Sequence, residues 1–346
     1  MSVNQSHPPR APNPGTYVPA VTFFNPDTDS LDLSAQAKYF AYLSRTGITG
    51  LVILGTNAET MLLTREERRA LLQTARASVP PGYPLIAGVS GHSTAQTLEY
   101  THDAHAAGAD YALVLPAAYF AKQTTAAVVR GFFRDVASQS PLPIIIYNFP
   151  GVTGGLDLDS DMIAAIARDC GNVVGVKLTC GSVAKITRLA AAFGPDRFAV
   201  FGGQSDFLLG GLVAGSAGCV AAFGNVFPRS FSRIYDLWMA GGREEALRLQ
   251  SLLAVAEGAS KIGGVACVKY AAAVFTAPRA GIDAAEAVAL LRPRRPYQEV
   301  SEEVKSKVRE VMAVMDGEES RSEGEATEWT STGTSGSMSV SVSTRL

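Results

Sequence analysis

A (β/α)8 barrel carrying a C-terminal helical appendage is the α/β architecture this sequence predicts. Three observations carry that expectation: eight short apolar runs, a helix-like segment after each, and a change to helices alone once the eighth has passed. A doubly wound open sheet stands second, because it uses the same alternation without closing. With 346 residues, 47% apolar and 18% charged, the chain can build one large barrel and still have residues to spare.

The eight runs are residues 18–24, 50–54, 85–89, 111–115, 144–147, 173–177, 198–201 and 218–223. Each is short and continuously apolar, with no polar alternation, which suits a strand covered on both faces. The segments between them repeat with helical period. Thr64-Arg65-Glu66-Glu67 reads as a capping box, with Thr64 as cap and Glu67 reaching back. Gly47, Gly108 and Gly194 are expected to end helices in the left-handed conformation.

Residues 228–240 form the expected eighth barrel helix, and 243–256, 265–275, 284–291 and 299–315 the helices of the appendage. The chain therefore divides into a disordered start (1–16), a barrel (17–240), a helical domain (241–315) and a tail (316–346). The tail is Ser, Thr, Gly and Glu around Trp329, too few apolar groups to offset ordering entropy, so disorder is expected there.

A net charge of −2 gives no electrostatic case for nucleic acid or an anionic membrane, which leaves a small molecule or another copy as partner. Cys170, Cys180, Cys219 and Cys267 are widely spaced, against both a zinc ribbon and a disulfide framework. Met1 to Pro14 shows neither an apolar leader core nor an Arg-rich amphipathic pattern, and no apolar run is long enough to span a membrane. The expectation is a cytoplasmic protein.

Lys177 ends the run Val173-Val174-Gly175-Val176-Lys177. An ammonium is expensive inside such a strand, and a buried amine left neutral can attack a ketone to form a Schiff base. On that segment alone, a lysine snorkelling from a strand end is the simpler reading. Barrel geometry reverses it, because the C-terminal ends of all eight strands face one pocket. Tyr147 ends the fifth run, beside the lysine's strand, where a phenol can shuttle a proton or merely plug the barrel. The second run leads into Gly55-Thr56-Asn57, a polar turn that can hold a carboxylate or simply cap the next helix. His92 lies on the loop after the third run, placed to touch the distal part of a substrate. His102 and His105 share a helix face with no carboxylate pattern beside them, so no metal site is expected.

Three motifs in this order, Gly55-Thr56-Asn57-Ala58-Glu59, Tyr147-Asn148-Phe149-Pro150 and Gly175-Val176-Lys177, resemble the dihydrodipicolinate synthase and N-acetylneuraminate lyase family of class I, pyruvate-type aldolases. The resemblance runs from about residue 17 to beyond 272. It implies a homotetrameric barrel with a helical domain, no metal or organic cofactor, and a 2-oxo acid substrate. It further implies that Lys177 forms the Schiff base, Tyr147 transfers protons, and Thr56 and Asn57 hold the substrate carboxylate. Val152 stands where the synthases carry an arginine, Ala118 where many members carry a relay tyrosine, with Tyr119 next to it, and Leu178 where an acid often follows the lysine. The Asn57 turn and Thr153-Gly154 are more similar to 4-hydroxy-2-oxoglutarate aldolase and the fungal 2-keto-3-deoxy-L-galactonate aldolase. The expected reaction cleaves or forms a 4-hydroxy-2-oxo acid, giving pyruvate and an aldehyde, with Val152, His92, Tyr119 and Gln204 around the substrate. Synthase-like condensation and a non-catalytic 2-oxo-acid-binding barrel remain as alternatives.

Overall fold

The computed structural model describes residues 9–332, so the disorder expected for 1–8 and 333–346 falls outside the described residues. Gly15 and Thr16, the end of the start expected to be disordered, are instead buried in the first strand. Strands and helices alternate in chain order: β1 (Gly15–Pro19), α1 (Leu33–Leu43), β2 (Gly50–Ile53), α2 (Arg65–Ser78), β3 (Leu85–Gly88), α3 (Thr94–Ala106), β4 (Tyr111–Val114) and α4 (Ala126–Gln139). The second half continues with β5 (Ile144–Asn148), α5 (Ser160–Asp169), β6 (Val173–Leu178), α6 (Val183–Ala192), β7 (Ala199–Gly202), α7 (Leu208–Val213), β8 (Gly218–Val220) and α8 (Pro228–Met239). All neighbours pair in parallel, and β1 pairs with β8, which closes the barrel. The open-sheet alternative is therefore excluded.

Alternate strand residues fill the interior. Tyr17, Val52, Ile86, Leu113, Ile145, Tyr147, Phe201 and Val220 form one buried cluster, separate from the larger one between strands and helices. The pairing of β5 with β6 sets Ile145 opposite Gly175 and Tyr147 opposite Lys177. Lys177 thus shares the inward parity of Tyr147. The capping box at α2 forms as expected: Glu67 N donates to Thr64 Oγ1 at 3.3 Å and Thr64 N to Glu67 Oε2 at 2.8 Å.

Three local expectations need correction. The first apolar run does not coincide with β1, which begins at Gly15 and ends at Pro19. Proline has no N–H to continue a ladder, and Val21, Phe23 and Phe24 are buried as loop residues instead. Gly194 is not left-handed, whereas Gly47 and Gly108 are, with φ of 86° and 83°; α6 ends two residues before Gly194 and turns extended at Phe193.

The third correction is larger. After α9 (Arg243–Ser260), α10 (Gly264–Phe275) and α11 (Ala284–Leu290), a long α12 (Glu302–Thr332) runs through the segment where the tail was expected to start. Val308, Met312 and Met315 are buried along one face, and the same stripe continues to Glu319, which is fully buried. α8 has no capping side chain of its own. Glu319 supplies one from a distance, accepting from Arg229 N at 2.8 Å, Ser230 N at 2.7 Å and Ser230 Oγ at 2.6 Å. The helix expected over 299–315 is present; composition missed its continuation past Met315, where an acid occupies a core position.

Replacing Glu319 with alanine leaves those buried donors without an acceptor. Glu319→Ala is expected to lower stability by about 1–3 kcal/mol in thermal unfolding, while Glu310→Ala, at an exposed position on the same helix, leaves the transition in place. Equal effects from the two substitutions would refute the remote cap.

Candidate active site

Lys177, one residue before the end of β6, is 2% exposed. Its Nζ donates to Tyr147 Oη at 3.2 Å and lies 4.3 Å from the centre of the same ring. No carboxylate oxygen lies within 4.0 Å of that nitrogen among the described residues. Tyr147 Oη lies 3.4 Å from Thr56 Oγ1, and its ring stacks on Phe149 at 5.8 Å. Amine, phenol and hydroxyl therefore stand in a row, contributed by β6, β5 and the turn after β2.

That turn, Thr56–Ala58, is a single 3-10 turn bracketed by two non-glycine residues in the left-handed region, Leu54 (φ 63°) and Glu59 (φ 55°). Such conformations cost energy and persist only where neighbours hold them. Thr22 Oγ1 grips the turn from the barrel, donating to Ala58 O at 2.9 Å.

Above the row lies a cavity of about 460 Å³. Gly55, Thr56, Glu59, Ser90, Tyr147 and Val152 line it from the barrel, and Val265, Ala266, Pro293 and Tyr297 from the appendage. Of the residues singled out from sequence, Thr56, Tyr147 and Val152 face this space, with Lys177 touching Tyr147. Asn57 shares the turn, half-buried, without contributing to the lining. Three others stand outside the lining. His92 is exposed, its backbone N–H held by Gln96 Oε1 at 2.8 Å where the loop turns to enter α3. Tyr119, 75% exposed, packs edge-on against His92 at 5.8 Å. Gln204 is half-buried before the turn Ser205–Phe207, and its carbonyl accepts from Cys219 Sγ at 3.1 Å.

Sequence reasoning missed the appendage's share of the wall and the charges behind it. Glu59 pairs with Lys269 of α10 at 2.5 Å, and the lysine is fully buried. The signal was available: Lys269 interrupts the apolar stretch Val265-Ala266-Cys267-Val268-Lys269-Tyr270-Ala271, the same anomaly that marks Lys177. On the other side, Glu257 of α9 accepts from Ser205 Oγ at 2.6 Å, and Gln250 donates to Ser205 O at 2.9 Å, so the loop after β7 is anchored to the appendage.

Burial pushes the Glu257 carboxyl up from 4.5 to about 7. A carboxyl raised in this way favours the folded state fully below about 4.5, and the contribution is lost as pH rises through about 7. Glu257→Gln is neutral throughout, so it is expected to flatten the stability curve across that window. Above it, the variant exceeds the parent by up to about 3 kcal/mol. Denaturant midpoints at the two ends of the window check this; a variant whose curve parallels the parent's would refute it.

Comparison with known proteins follows the same lines. The model of the dihydrodipicolinate synthetase family matches residues 13–315. A Coccidioides immitis protein with the provisional name of a mitochondrial 4-hydroxy-2-oxoglutarate aldolase is 61% identical over 305 residues, covering 88% of this chain and 96% of that protein. A protein of Emericella nidulans with a similar provisional name is 42% identical over 75% of this chain and 84% of its own length. The L-threo-3-deoxy-hexylosonate aldolase of Hypocrea jecorina is 37% identical over 71% of this chain and 81% of its own length. Among solved structures, a dihydrodipicolinate synthase family protein from Coccidioides immitis superposes with a TM-score of 0.85 at 57% identity, covering 91% of this chain and 99% of that one. An E. coli K12 prophage protein of the same family, in complex with pyruvate, gives 0.78 at 26% identity over 87% and 97% of the two chains. The names of two relatives overturn the expected cytoplasmic location, since both are called mitochondrial. That expectation rests on the absence of a leader pattern, and an absence carries no address.

Proposed function

This chain belongs to the dihydrodipicolinate synthetase family, and on that premise we propose that it is a Schiff-base aldolase interconverting a 4-hydroxy-2-oxo acid with pyruvate and an aldehyde. The observation that carries this reading is the row of Lys177 Nζ, Tyr147 Oη and Thr56 Oγ1 at 3.2 and 3.4 Å, with Lys177 and Tyr147 buried and Tyr147 and Thr56 lining the cavity. The names of the aldolase relatives support it, for both 4-hydroxy-2-oxoglutarate and deoxy-hexylosonate enzymes.

The chemistry follows from that geometry. The substrate carboxylate rests at the Thr56-Asn57 turn, which brings C2 over the lysine. The free amine of Lys177 adds to the C2 ketone. Tyr147 gives its proton to the departing oxygen, water leaves, and an iminium remains. The phenolate then takes the proton of the C4 hydroxyl, the C3–C4 bond breaks, and its electron pair flows into the iminium to give an enamine and a free aldehyde. The phenol protonates C3. Water hydrolyses the iminium, returning a proton to Tyr147, freeing the amine and releasing pyruvate. The reverse direction uses the same groups.

Val152, 41% exposed at the cavity, leaves no cation where the synthases place an arginine, so aldol cleavage fits this site better than synthase-like condensation. We also propose the four-copy assembly that the family resemblance implies.

Lys177→Ala is expected to abolish the pyruvate adduct trapped by borohydride and read by intact mass. Tyr147→Phe keeps the carboxylate-holding turn intact, so turnover falls by about 10²–10⁴-fold with a smaller change in KM. A panel of 4-hydroxy-2-oxo acids, neutral and dicarboxylic, scored for pyruvate release, identifies the aldehyde half. Normal turnover in the lysine variant, or an adduct with no cleavage of any panel member, would end the proposal.

A further inference from the structure

The carboxylate of Glu59 sits between the proposed substrate turn and the appendage. Glu59 N donates to Thr56 O at 3.0 Å, so this residue closes the turn that begins at Thr56. Its side chain faces the cavity wall yet is bound on both oxygens. Oε1 accepts from Lys269 Nζ at 2.5 Å, and Oε2 from the backbone N–H of Arg294 at 2.8 Å. Lys269 also donates to Arg292 O at 2.7 Å and lies 4.6 Å from the centre of the Phe24 ring. Arg294 in turn grips Glu67 at 2.5 and 2.7 Å and Leu62 O at 2.9 Å, on the far side of the same loop. One carboxylate thus ties together the barrel turn, α10 and the segment that carries Pro293 and Tyr297 into the cavity.

We propose that Glu59, locked by Lys269, is a positioning residue for the 2-oxo acid: the buried pair holds the Thr56-Asn57 turn and the appendage wall in the register that receives the substrate carboxylate. This role rests on the aldolase reading above. It follows from three observations together. Glu59 holds a left-handed conformation that a glutamate adopts only under constraint. Its partner is a lysine with no exposed surface. The bonds connect the two walls of one cavity rather than two surfaces elsewhere. A pair that serves folding alone can be exchanged for neutral groups without loss, since removing both charges together avoids an unpaired buried ion. A positioning pair cannot.

The test uses Glu59→Gln, Lys269→Met and the double variant in the full chain, each measured by thermal unfolding and by borohydride trapping of pyruvate across a concentration series. The double variant is expected to unfold near the parental temperature. Its half-saturating pyruvate concentration rises about tenfold, while its trapping rate at saturation stays within about twofold of the parent. Glu59→Gln, nearly isosteric and still able to accept from Arg294 N, is expected to show the same rise, so the question stays decidable if the double variant fails to fold. Parental half-saturation in whichever variant folds overturns the role, as does a fall in the saturating rate with half-saturation unmoved. A parent chain that forms no adduct overturns the aldolase reading and this role with it, whereas an adduct in the parent with parental half-saturation in the variants removes this role alone.

Discussion

Everything in this site depends on the register between β5 and β6, which sets Tyr147 opposite Lys177. Adjacent parallel strands lie about 4.8 Å apart, so two residues of inward parity at the same level must meet. Closing the barrel leaves them no alternative direction. Beneath them Tyr17 and Phe201 pack edge-on at 5.3 Å and plug the interior. The lysine is reached through the C-terminal mouth, and the phenol stands in that path. A one-residue slip of β6 would send Lys177 outward among the helices and away from Tyr147, which the apolar cluster on that side would oppose.

The appendage completes what the barrel begins. A barrel mouth by itself is an open dish, and Val265, Ala266, Pro293 and Tyr297 make it a cavity. The seam between the two parts is marked by buried carboxylates rather than by apolar contact alone. Glu59 meets Lys269, Glu257 meets Ser205, and Glu319 caps α8 from α12. Buried polar contacts of this kind are poor sources of stability, because desolvation opposes the gain. They are strict about geometry, and the seam borders the site where strictness has a use.

Much of this was legible in the residues, and the failures share causes. The alternation of short apolar runs with capped helices gave the barrel, and strand-end convergence gave Lys177, Tyr147 and Thr56. His92, Tyr119 and Gln204 lie on loops, where no period fixes direction, and none of them is among the residues lining the cavity. The true end of β1 was hidden because hydrophobicity marks burial rather than hydrogen bonding, and Pro19 separates the two. The continuation of α12 past Met315 was hidden for the opposite reason: Glu319 is buried, and composition counts an acid as solvent-facing. Lys269 carried the same anomaly as Lys177, an amine in an apolar run, but on a helix, where strand-end geometry gives it no pocket to share.

The choice of partner for Lys177 also explains why the neighbouring charges are arranged as they are. A carboxylate against the amine would favour the ammonium and hold the nitrogen's lone pair in a proton; a phenol can accept or donate without fixing either state. The barrel nevertheless brings a carboxylate to the same cavity, in Glu59. Left bare, that charge would repel an anionic substrate. Lys269 and the Arg294 N–H occupy both of its oxygens from behind, so its field is answered within the wall. Among the described residues the two lysines thus differ by their partners: Lys269 meets the acid Glu59, and Lys177 donates to the phenol of Tyr147.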